Sequence, residues 1–282
     1  MHWTGWALTV LGLALLGGIL YWQLIIAEGT YLGPKIVVLL YDLYAGAYEN
    51  IKKYDADDEQ WFLGIPLARA LAEIPAALVL YVATGTGRLP RALLRQPAFD
   101  GHIIALDLSR RMLHQATHHT AQFSDRVTYF WQDAQKLPFD DNTFDAVACL
   151  EALEFTPAPR AVLAELVRVL RPGGVLLVTN RIGNDARLLP NRAFPREEFR
   201  AELAAFPLES IKVRPWQMDY DLSWAIKEGT PRGGGIRPLT QILRCPTCDG
   251  PVVRGDGMFR CTEVGHSFNV AADGVIELAE PQ

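Results

Sequence analysis

LVLYVATGTGR, residues 78–88, is the stretch that decides the fold of this 282-residue chain. Its first five residues are apolar and rich in Leu and Val, which is typical of a buried β-strand. Gly85 and Gly87 follow, and the helix-favouring run PRALL begins at Pro90. Glycines let the backbone turn sharply and approach a ligand, while a helix N-terminus presents unpaired N–H groups. The stretch therefore predicts a strand, a ligand-binding turn and a helix.

The same alternation of strand and helix continues to residue 181. Further predicted strands are HIIALDL (102–108), VTYFWQD (127–133), FDAVACL (144–150) and GVLLVTN (174–180), and helices are predicted at RRMLHQA (110–116) and RAVLAELVRVL (160–170). Such alternation predicts an α/β fold with a doubly wound, mostly parallel sheet. Ligands bind at the carboxyl ends of the strands in that architecture, so we expect chemistry there.

An acid at the end of the second predicted strand narrows the ligand class. Asp107 lies 20 residues beyond Gly87, where a carboxylate can accept hydrogen bonds from both hydroxyls of a ribose. The dinucleotide fingerprint Gly-x-Gly-x-x-Gly is not completed, because Arg88, Leu89 and Pro90 follow Gly87. We therefore expect a nucleoside-containing ligand, and a nicotinamide-dependent oxidoreductase is disfavoured.

The composition favours a folded protein without a strong attraction to nucleic acid. Half the residues are apolar, and 27 Lys and Arg against 32 Asp and Glu give a net charge of −5. Proteins that grip nucleic acid usually carry a basic surplus, since neutralising phosphates supplies much of the affinity. Nucleic acid stays open as a partner but is not favoured.

Four sequence blocks carry a family resemblance. They are VLYVATGTGRL (79–89), ALDLSRRML (105–113), DAQKLPFDDNTFDAV (133–147) and ELVRVLRPGGVLLVT (165–179). In order and spacing they resemble the class I, Rossmann-like S-adenosylmethionine-dependent methyltransferases, especially those of quinone biosynthesis. The resemblance covers residues 41–227. It implies a seven-stranded sheet that ends in an antiparallel pair within 209–228, with the turn at 219–224.

The resemblance also implies S-adenosyl-L-methionine as the cofactor and a set of residues that bind it. These are Gly85 and Gly87 around the methionine portion, Ala83 in place of a first glycine of the same turn, Asp107 at the ribose, Leu108 beside the adenine, and Asp133 with Ala134 at the adenine edge. Upstream, YDLYAGAYENI (41–51) resembles a segment that covers the cofactor.

Tyr81 is the clearest departure from the family pattern. Such enzymes usually have an Asp or Glu at this point of the first strand, and that acid organises the ammonium region of the cofactor. The change predicts weaker cofactor binding, replacement by a nearby acid, or a domain that has lost activity.

Glu151 and Glu154 are the candidate catalytic residues. Methyl transfer from a sulfonium needs mainly an aligned nucleophile, so proximity and orientation can supply much of the catalysis. Both acids follow the fourth predicted strand, near the expected acceptor entrance, and either can take a proton from a hydroxyl or amine. The alternative, that they cap or solvate the loop, stays open.

The N-terminal segment predicts a membrane anchor. Residues 2–27 contain no charged side chain and are long enough to cross the ~30 Å hydrocarbon layer as a helix. We expect residues 3–27 to contact lipid; a signal peptide and a buried core helix are the alternatives. The first cations, Lys35, Lys52 and Lys53, follow this segment, which places the catalytic body in the cytoplasm as a single-pass protein.

The C-terminal tail predicts a structural zinc site. Cys245 and Cys248 are separated by two residues, and Cys261 and His266 follow, a spacing typical of zinc knuckles. The tail resembles small zinc ribbons, including one found with ribosomal-RNA methyltransferases. Val264 stands where many ribbons place the fourth Cys, so His266 is the candidate fourth ligand. Cys149, within an apolar run, is expected to be a buried hydrophobe.

These observations divide the chain into five parts. We expect a transmembrane anchor (1–28), a helical N-terminal cap (29–76), a methyltransferase domain (77–228), a linker that is flexible by composition (229–239), and a zinc-ribbon-like domain (240–282). The predicted function is methyl transfer to a small-molecule or lipid acceptor, such as a membrane-associated quinone precursor. The alternatives are an RNA methyltransferase that uses the ribbon for recognition, and an inactive, cofactor-binding membrane protein.

Overall fold

The computed structural model describes residues 2–231 and 234–279, with side chains from residue 6 onward. The helices are α1 His2–Tyr21, α2 Pro34–Tyr44, α3 Tyr48–Ile51, α4 Ala56–Glu59, α5 Ile65–Ala70, α6 Arg88–Leu94, α7 Arg110–His119, α8 Pro159–Val169, α9 Gly183–Ala186, α10 Arg196–Ala204 and α11 Leu239–Ile242. Wider, π-helical turns continue α1 over Trp22–Ile26 and α4 over Gln60–Gly64.

The strands form two sheets. They are β1 Leu78–Val82, β2 His102–Asp107, β3 Val127–Trp131, β4 Phe144–Cys149, β5 Leu170–Arg181, β6 Leu208–Pro215, β7 Tyr220–Lys227, β8 Val252–Gly255, β9 Met258–Cys261, β10 Ser267–Asn269 and β11 Ile276–Glu277. The larger sheet has the order β11-β3-β2-β1-β4-β5-β7-β6, and the smaller has the order β10-β9-β8.

The larger sheet confirms the predicted α/β, doubly wound architecture. The first five strands run parallel, and β7 is antiparallel to both β5 and β6. Strand β1 lies between β2 and β4, so the chain reverses its direction across the sheet at this strand. A ligand crevice is expected outside the carboxyl end of such a switch point.

The predicted turn at 219–224 is wrong, because Tyr220 already begins β7. The reversal lies just before it, where the Trp216 N–H donates to the Tyr220 carbonyl over 3.0 Å. The polar Asp221 is fully buried in the strand, with both carboxylate oxygens bonded to Arg196 at 2.6 and 2.8 Å. This pairing compensates the buried charge of Asp221, so a polar sequence that is typical of a turn can lie within a strand.

Strand β1 separates two apolar cores. Leu78, Leu80 and Val82 point into one core, and Val79 and Tyr81 point into the other. Alternate residues of a strand face opposite sides of a sheet, and helices cover both sides here, so every residue of β1 is buried.

The N-terminal cap packs closely on helix α6. A Cβ added to Gly64 would lie 2.5 Å from the Ala92 carbonyl oxygen, so only glycine permits this approach. Leu63 and Leu67 of the cap are buried in the same core as Leu89 and Leu93 of α6. The cap is therefore packed on the side of the sheet that α6 covers.

The tail adds an eighth strand to the seven that the resemblance implied. Strand β11 lies parallel to β3, and the N–H groups of Leu278 and Ala279 donate to the Trp131 carbonyl at 3.1 and 2.9 Å. Arg110 also bonds Asp273 at 2.7 and 2.8 Å. The tail thus covers the exposed edge of β3, where unpaired backbone groups would otherwise remain.

The linker is tied to the sheet where the structure describes it. The Gly235 N–H donates to the Asp145 carboxylate at 3.0 Å, and the Arg237 guanidinium donates to the Thr143 carbonyl at 3.0 Å. Gly235 and Arg237 are therefore held against the sheet, although the composition of the linker predicts flexibility. Residues 232–233 of the linker lie outside the described part.

One helix in the described chain is long and apolar enough to cross a membrane. It covers Trp6–Ile26 with a mean hydropathy of 1.9, and none of it is buried against the rest of the chain. Met1 lies outside the described residues.

Truncating Leu278 should destabilise the whole protein and not the tail alone. Leu278 is 5% exposed and belongs to the main core, so Leu278→Ala should lower the free energy of unfolding by about 2–5 kcal/mol. Urea unfolding of the full chain in detergent micelles measures this. Val264→Ala, at a residue 48% exposed, is the control; equal stability of the two variants would show that the tail is not part of the core.

Candidate functional site

A cavity opens at the carboxyl ends of β1, β2 and β4, where the switch point predicts it. The cap roofs it through residues of α2, and the loops after the three strands form its floor. The described residues that line it include Pro34, Val37, Val38, Tyr41, Tyr48, Glu59, Tyr81, Ala83, Gly85, Arg88, Asp107, Leu108, Asp133, Ala134, Cys149, Glu151, Phe155 and Trp216. Six of the seven predicted cofactor-binding residues are brought together here; Gly87 is the exception.

The turn after β1 depends on backbone conformations that favour glycine. Gly85 has a φ of +53°, and a Cβ there would point into open space 4.0 Å from the Tyr48 ring. Ala83 has the same positive φ, which costs an L-residue of order 1 kcal/mol. In this conformation the Thr84 N–H donates to the Leu106 carbonyl and the Gly85 N–H to the Asp107 carboxylate, so the turn is bonded to the second strand.

Gly87 supports the turn from behind the cavity. Its φ is +83°, and an added Cβ would lie 3.3 Å from both the Ala116 Cβ and the Tyr129 hydroxyl. Gly87 therefore allows α6 to begin close to α7. The resemblance placed it beside the methionine portion, but the structure gives it a packing role.

Asp107 joins the turn to the second strand. Its two carboxylate oxygens accept the N–H groups of Gly85 and Ser109, each at 2.8 Å. Burial, with a smaller contribution from the nearby Asp42, raises the pKa of Asp107 to about 6, although backbone hydrogen bonds from Ser109, Gly85 and Leu108 lower it. The carboxylate lies in the cavity wall, where it can also accept from a ligand hydroxyl.

The adenine end predicted by the resemblance is built from two loops. Leu108 follows Asp107, and its carbonyl accepts the indole N–H of Trp131 at 2.8 Å. Asp133 accepts the backbone and side-chain N–H groups of Gln135 at 2.9 and 2.8 Å, which fixes the loop that carries Ala134. Leu108 and Ala134 provide apolar walls, and Asp133 provides an acceptor at the cavity edge.

A buried cluster of charges lines the end of the cavity away from the predicted adenine site. Arg88 donates to Glu59 through Nε at 3.0 Å and through Nη2, and to Glu151 through Nη1 at 2.8 Å. Lys52 of the cap donates to the second oxygen of Glu151 at 3.1 Å. Burial raises the pKa of Tyr81, and among the charged groups Arg88, which lowers it, and Glu59, which raises it, have the largest effects.

Glu59, Arg88 and Lys52 are site residues that the sequence patterns did not predict. The position of Arg88 could have indicated its role, because it directly follows the glycine turn and begins a helix at the expected ligand site. Nothing in the sequence indicated Glu59 or Lys52, because only the folding of the cap brings these residues to the site.

Glu151 lines the cavity but is held as an ion pair. Burial would raise the pKa of Glu151, but Arg88 and Lys52 outweigh burial and lower it. Its φ of +52° is a strained backbone conformation for a non-glycine residue. A carboxylate that is kept ionised by two cations is a weak proton acceptor, so the geometry favours a structural role.

Glu154 is not among the described residues that line the cavity. Its Oε1 accepts from the Tyr220 hydroxyl at 2.5 Å, and its Oε2 is buried without a hydrogen-bond partner. Burial raises the pKa of Glu154, partly offset by the Tyr220 hydrogen bond. The catalytic role of Glu154 stays a prediction, and it requires the acceptor to reach the Glu154 carboxyl group beside Tyr220.

The tail brings three of the four predicted metal ligands together. The sulfur atoms of Cys245, Cys248 and Cys261 lie within 4.8 Å of one another. The His266 side chain is exposed and is not part of this group, although the His266 carbonyl accepts the Cys261 N–H at 2.8 Å. Cys149 lies elsewhere and is fully buried, as expected.

Comparisons with known proteins agree with this geometry. A family model described as a methyltransferase domain matches residues 80–178. A demethylmenaquinone methyltransferase from Clavibacter sepedonicus is 35% identical over 147 residues, covering 51% of this chain and 58% of the relative. A ubiquinone biosynthesis O-methyltransferase from Xylella fastidiosa (strain 9a5c) is 32% identical over 169 residues, covering 51% and 68%.

A solved structure shows the same fold. It is the complex between the Haloferax volcanii Trm112 methyltransferase activator and a putative methyltransferase, with a TM-score of 0.51 and 20% identity over 67% of this chain and 98% of that chain. The parallel sheet, glycine turn and Asp107 together define a nucleoside-binding Rossmann-like domain. The chain belongs to the S-adenosylmethionine-dependent methyltransferase family. It spans about three fifths of the length of the first quinone-biosynthesis relatives.

Cofactor binding should weaken as Asp107 is protonated. Only the ionised carboxylate can accept from both ribose hydroxyls, and with a pKa of about 6 only about a tenth of it is ionised at pH 5. The dissociation constant of S-adenosylhomocysteine should therefore rise roughly 10-fold between pH 7 and pH 5. Isothermal titration calorimetry measures it.

Asp107→Asn should bind weakly at both pH values, and the exposed Asp125→Asn should behave like the natural protein. A pH dependence that persists in Asp107→Asn would assign it to another group.

Proposed function

We propose that this protein transfers the methyl group of S-adenosylmethionine to a lipophilic acceptor at a membrane surface. The observation that carries the proposal is that the apolar N-terminal helix ends on the same sheet edge that holds the cavity. The cavity and its predicted nucleoside-binding residues support S-adenosylmethionine as the cofactor. The apolar helix supports a lipophilic acceptor.

Several contacts attach the end of the apolar helix to the catalytic body. Arg181, the last residue of β5, donates to the Ile26 carbonyl at 3.4 Å and pairs with Glu28 at 3.7 Å. The Trp22 indole N–H donates to the Leu188 carbonyl at 3.0 Å. The helix is thus joined to the carboxyl edge by fixed contacts, and a helix in a bilayer would hold that edge at the lipid surface.

Helix α2 forms the cavity roof between the site and the proposed membrane. Its Val37, Val38 and Tyr41 line the cavity, while Leu39 and Leu43 are 54% and 63% exposed. A helix with apolar residues on both its inner and outer sides suits an acceptor that passes between lipid and cavity. The cations after the apolar helix favour a single-pass protein with a cytoplasmic catalytic domain.

The residues present fit a reaction that depends on alignment. When bound, the cofactor supplies an electrophilic methyl group on a sulfonium. Asp107 would orient the ribose, while α2 and Phe155 exclude water from the acceptor end. A nucleophilic oxygen or ring carbon of the acceptor would then be aligned with the methyl group, a contribution of proximity that can supply much of the rate.

Charges on the outer side of α2 should selectively impair methylation of a membrane-embedded acceptor. In Leu39→Glu/Leu43→Glu, carboxylates at the lipid surface oppose entry of the acceptor, while the cavity lining is unchanged. We expect a roughly 10-fold lower initial rate of label transfer from methyl-labelled S-adenosylmethionine into membrane lipid extract. The full chain is reconstituted in vesicles for this measurement.

The control is Val253→Glu, at a residue 48% exposed in the tail, which should keep the natural rate. Binding of S-adenosylhomocysteine should be equal in all three proteins. Label that enters total RNA or a soluble acceptor, with none in the lipid fraction, would contradict the proposed acceptor class and favour the RNA alternative.

We also propose that the tail binds a structural zinc ion. Four ligands around zinc with Zn–S bonds of ≈2.3 Å place the sulfurs about 3.8 Å apart. The Cys248 and Cys261 sulfurs are 3.5 Å apart, and all three sulfurs fall within 4.8 Å. The three thiolates fit zinc, and His266, whose carbonyl accepts the Cys261 N–H, is the proposed fourth ligand.

Elemental analysis of the purified full chain should find about one zinc per molecule. Cys248→Ser should lose most of it because a thiolate ligand is removed, and His266→Ala should bind it more weakly. His118→Ala, an exposed histidine on α7, should retain it. A zinc content near zero in the natural protein would refute this proposal.

A further inference from the structure

Glu59 has a buried oxygen that no described residue satisfies. The residue is 4% exposed, its Oε1 accepts from Arg88, and its Oε2 has no hydrogen-bond partner. Leaving a buried carboxylate oxygen unpaired is costly, and a bound ligand or an ordered water is one way to supply the missing donor. Glu59 lines the cavity, so a ligand bound there is the candidate donor for this oxygen.

The position of Glu59 is fixed by the cap. It ends helix α4, whose N-terminus is capped by Asp55 through hydrogen bonds from the Asp57 and Asp58 N–H groups at 2.8 and 3.2 Å. Gly64 then holds the following turn against α6. The carboxylate therefore reaches the cavity from a rigid support.

Arg88 places a positive group beside this negative one. Its side chain is 11% exposed and lines the cavity, and three of its five N–H groups are used by Glu59 and Glu151. Trp216 lies on its other side, with the guanidinium 5.9 Å from the ring centroid. A free anionic oxygen and a guanidinium at one end of a cavity match the ammonium and the carboxylate of an α-amino acid.

Tyr81 explains why this pair is needed. It is buried at the same end of the cavity and brings no negative charge. The nucleoside features, Asp107 and Leu108, come from the next strand. A ligand with a nucleoside at one end and an α-amino acid at the other would thus meet complementary groups along its whole length.

We propose that Glu59 binds the α-ammonium and Arg88 the α-carboxylate of the cofactor's methionine portion, so that the cap supplies the acid that strand β1 lacks at Tyr81. The inference rests on the proposed use of S-adenosylmethionine. It makes the cap part of the cofactor site. The alternative of an inactive domain, which Tyr81 suggested, is then unnecessary.

Two ligands that differ at one end test the proposal. S-adenosylhomocysteine has the α-amino acid group, and 5′-methylthioadenosine lacks it. Glu59→Gln keeps the shape of the side chain but removes its charge, so it should weaken binding of S-adenosylhomocysteine at least 10-fold and change that of 5′-methylthioadenosine less than 2-fold. Calorimetry on the full chain measures both.

Asp58→Asn, the exposed neighbour on α4, is the matched control and should bind both ligands as the natural protein does. If Glu59→Gln does not fold, Glu59→Asp retracts the charge by one methylene and should show the same selectivity. Unchanged binding of S-adenosylhomocysteine, or an equal loss for both ligands in a folded variant, would overturn the inference. If the natural protein binds neither ligand, the proposed function itself fails.

Discussion

The pairing of buried charges between the cap and the sheet is the interaction on which the site depends. Glu59 and Lys52 come from the cap, Arg88 from the turn after β1, and Glu151 from the end of β4. Removing one partner from such a cluster leaves an uncompensated buried charge, which destabilises a protein by several kcal/mol. The cluster therefore holds three separate parts of the chain in one arrangement around the cavity. It also sets the roles of its members, because Glu151 is engaged by two cations while Glu59 keeps one oxygen free.

Two appendages contact the sheet from opposite ends of the chain. The tail adds β11 beside β3 and bonds Arg110, which follows Asp107, the proposed ribose ligand, by three residues. The N-terminal helix is attached through Arg181 at the end of β5. Both attachments involve residues close in the chain to the loops that form the cavity.

The sequence predicted the central sheet and the nucleoside end of the site because those signals are local. An apolar strand, a glycine turn and Asp107 after the next strand occur in a fixed order, and the parallel sheet brings their ends together. Ala83, Leu108, Asp133 and Ala134 lie in the cavity for the same reason. The turn before β7 was missed because the buried Asp221 pairs with Arg196, a contact distant in sequence. Glu59 was missed because only the packing of the cap on α6 brings it to Tyr81. The eighth strand was missed because two residues near the end of the cysteine-containing tail give no periodic pattern.

The central claim is that one cavity binds the whole cofactor, with the nucleoside on the sheet and the amino acid on the cap. A structure of the full chain with S-adenosylhomocysteine tests it most directly. The account predicts the ribose hydroxyls on Asp107, the adenine between Leu108 and Ala134, and the α-ammonium within hydrogen-bond distance of Glu59. A ligand bound outside this cavity, or an ammonium group that contacts neither Glu59 nor any other residue of the cap, would contradict it.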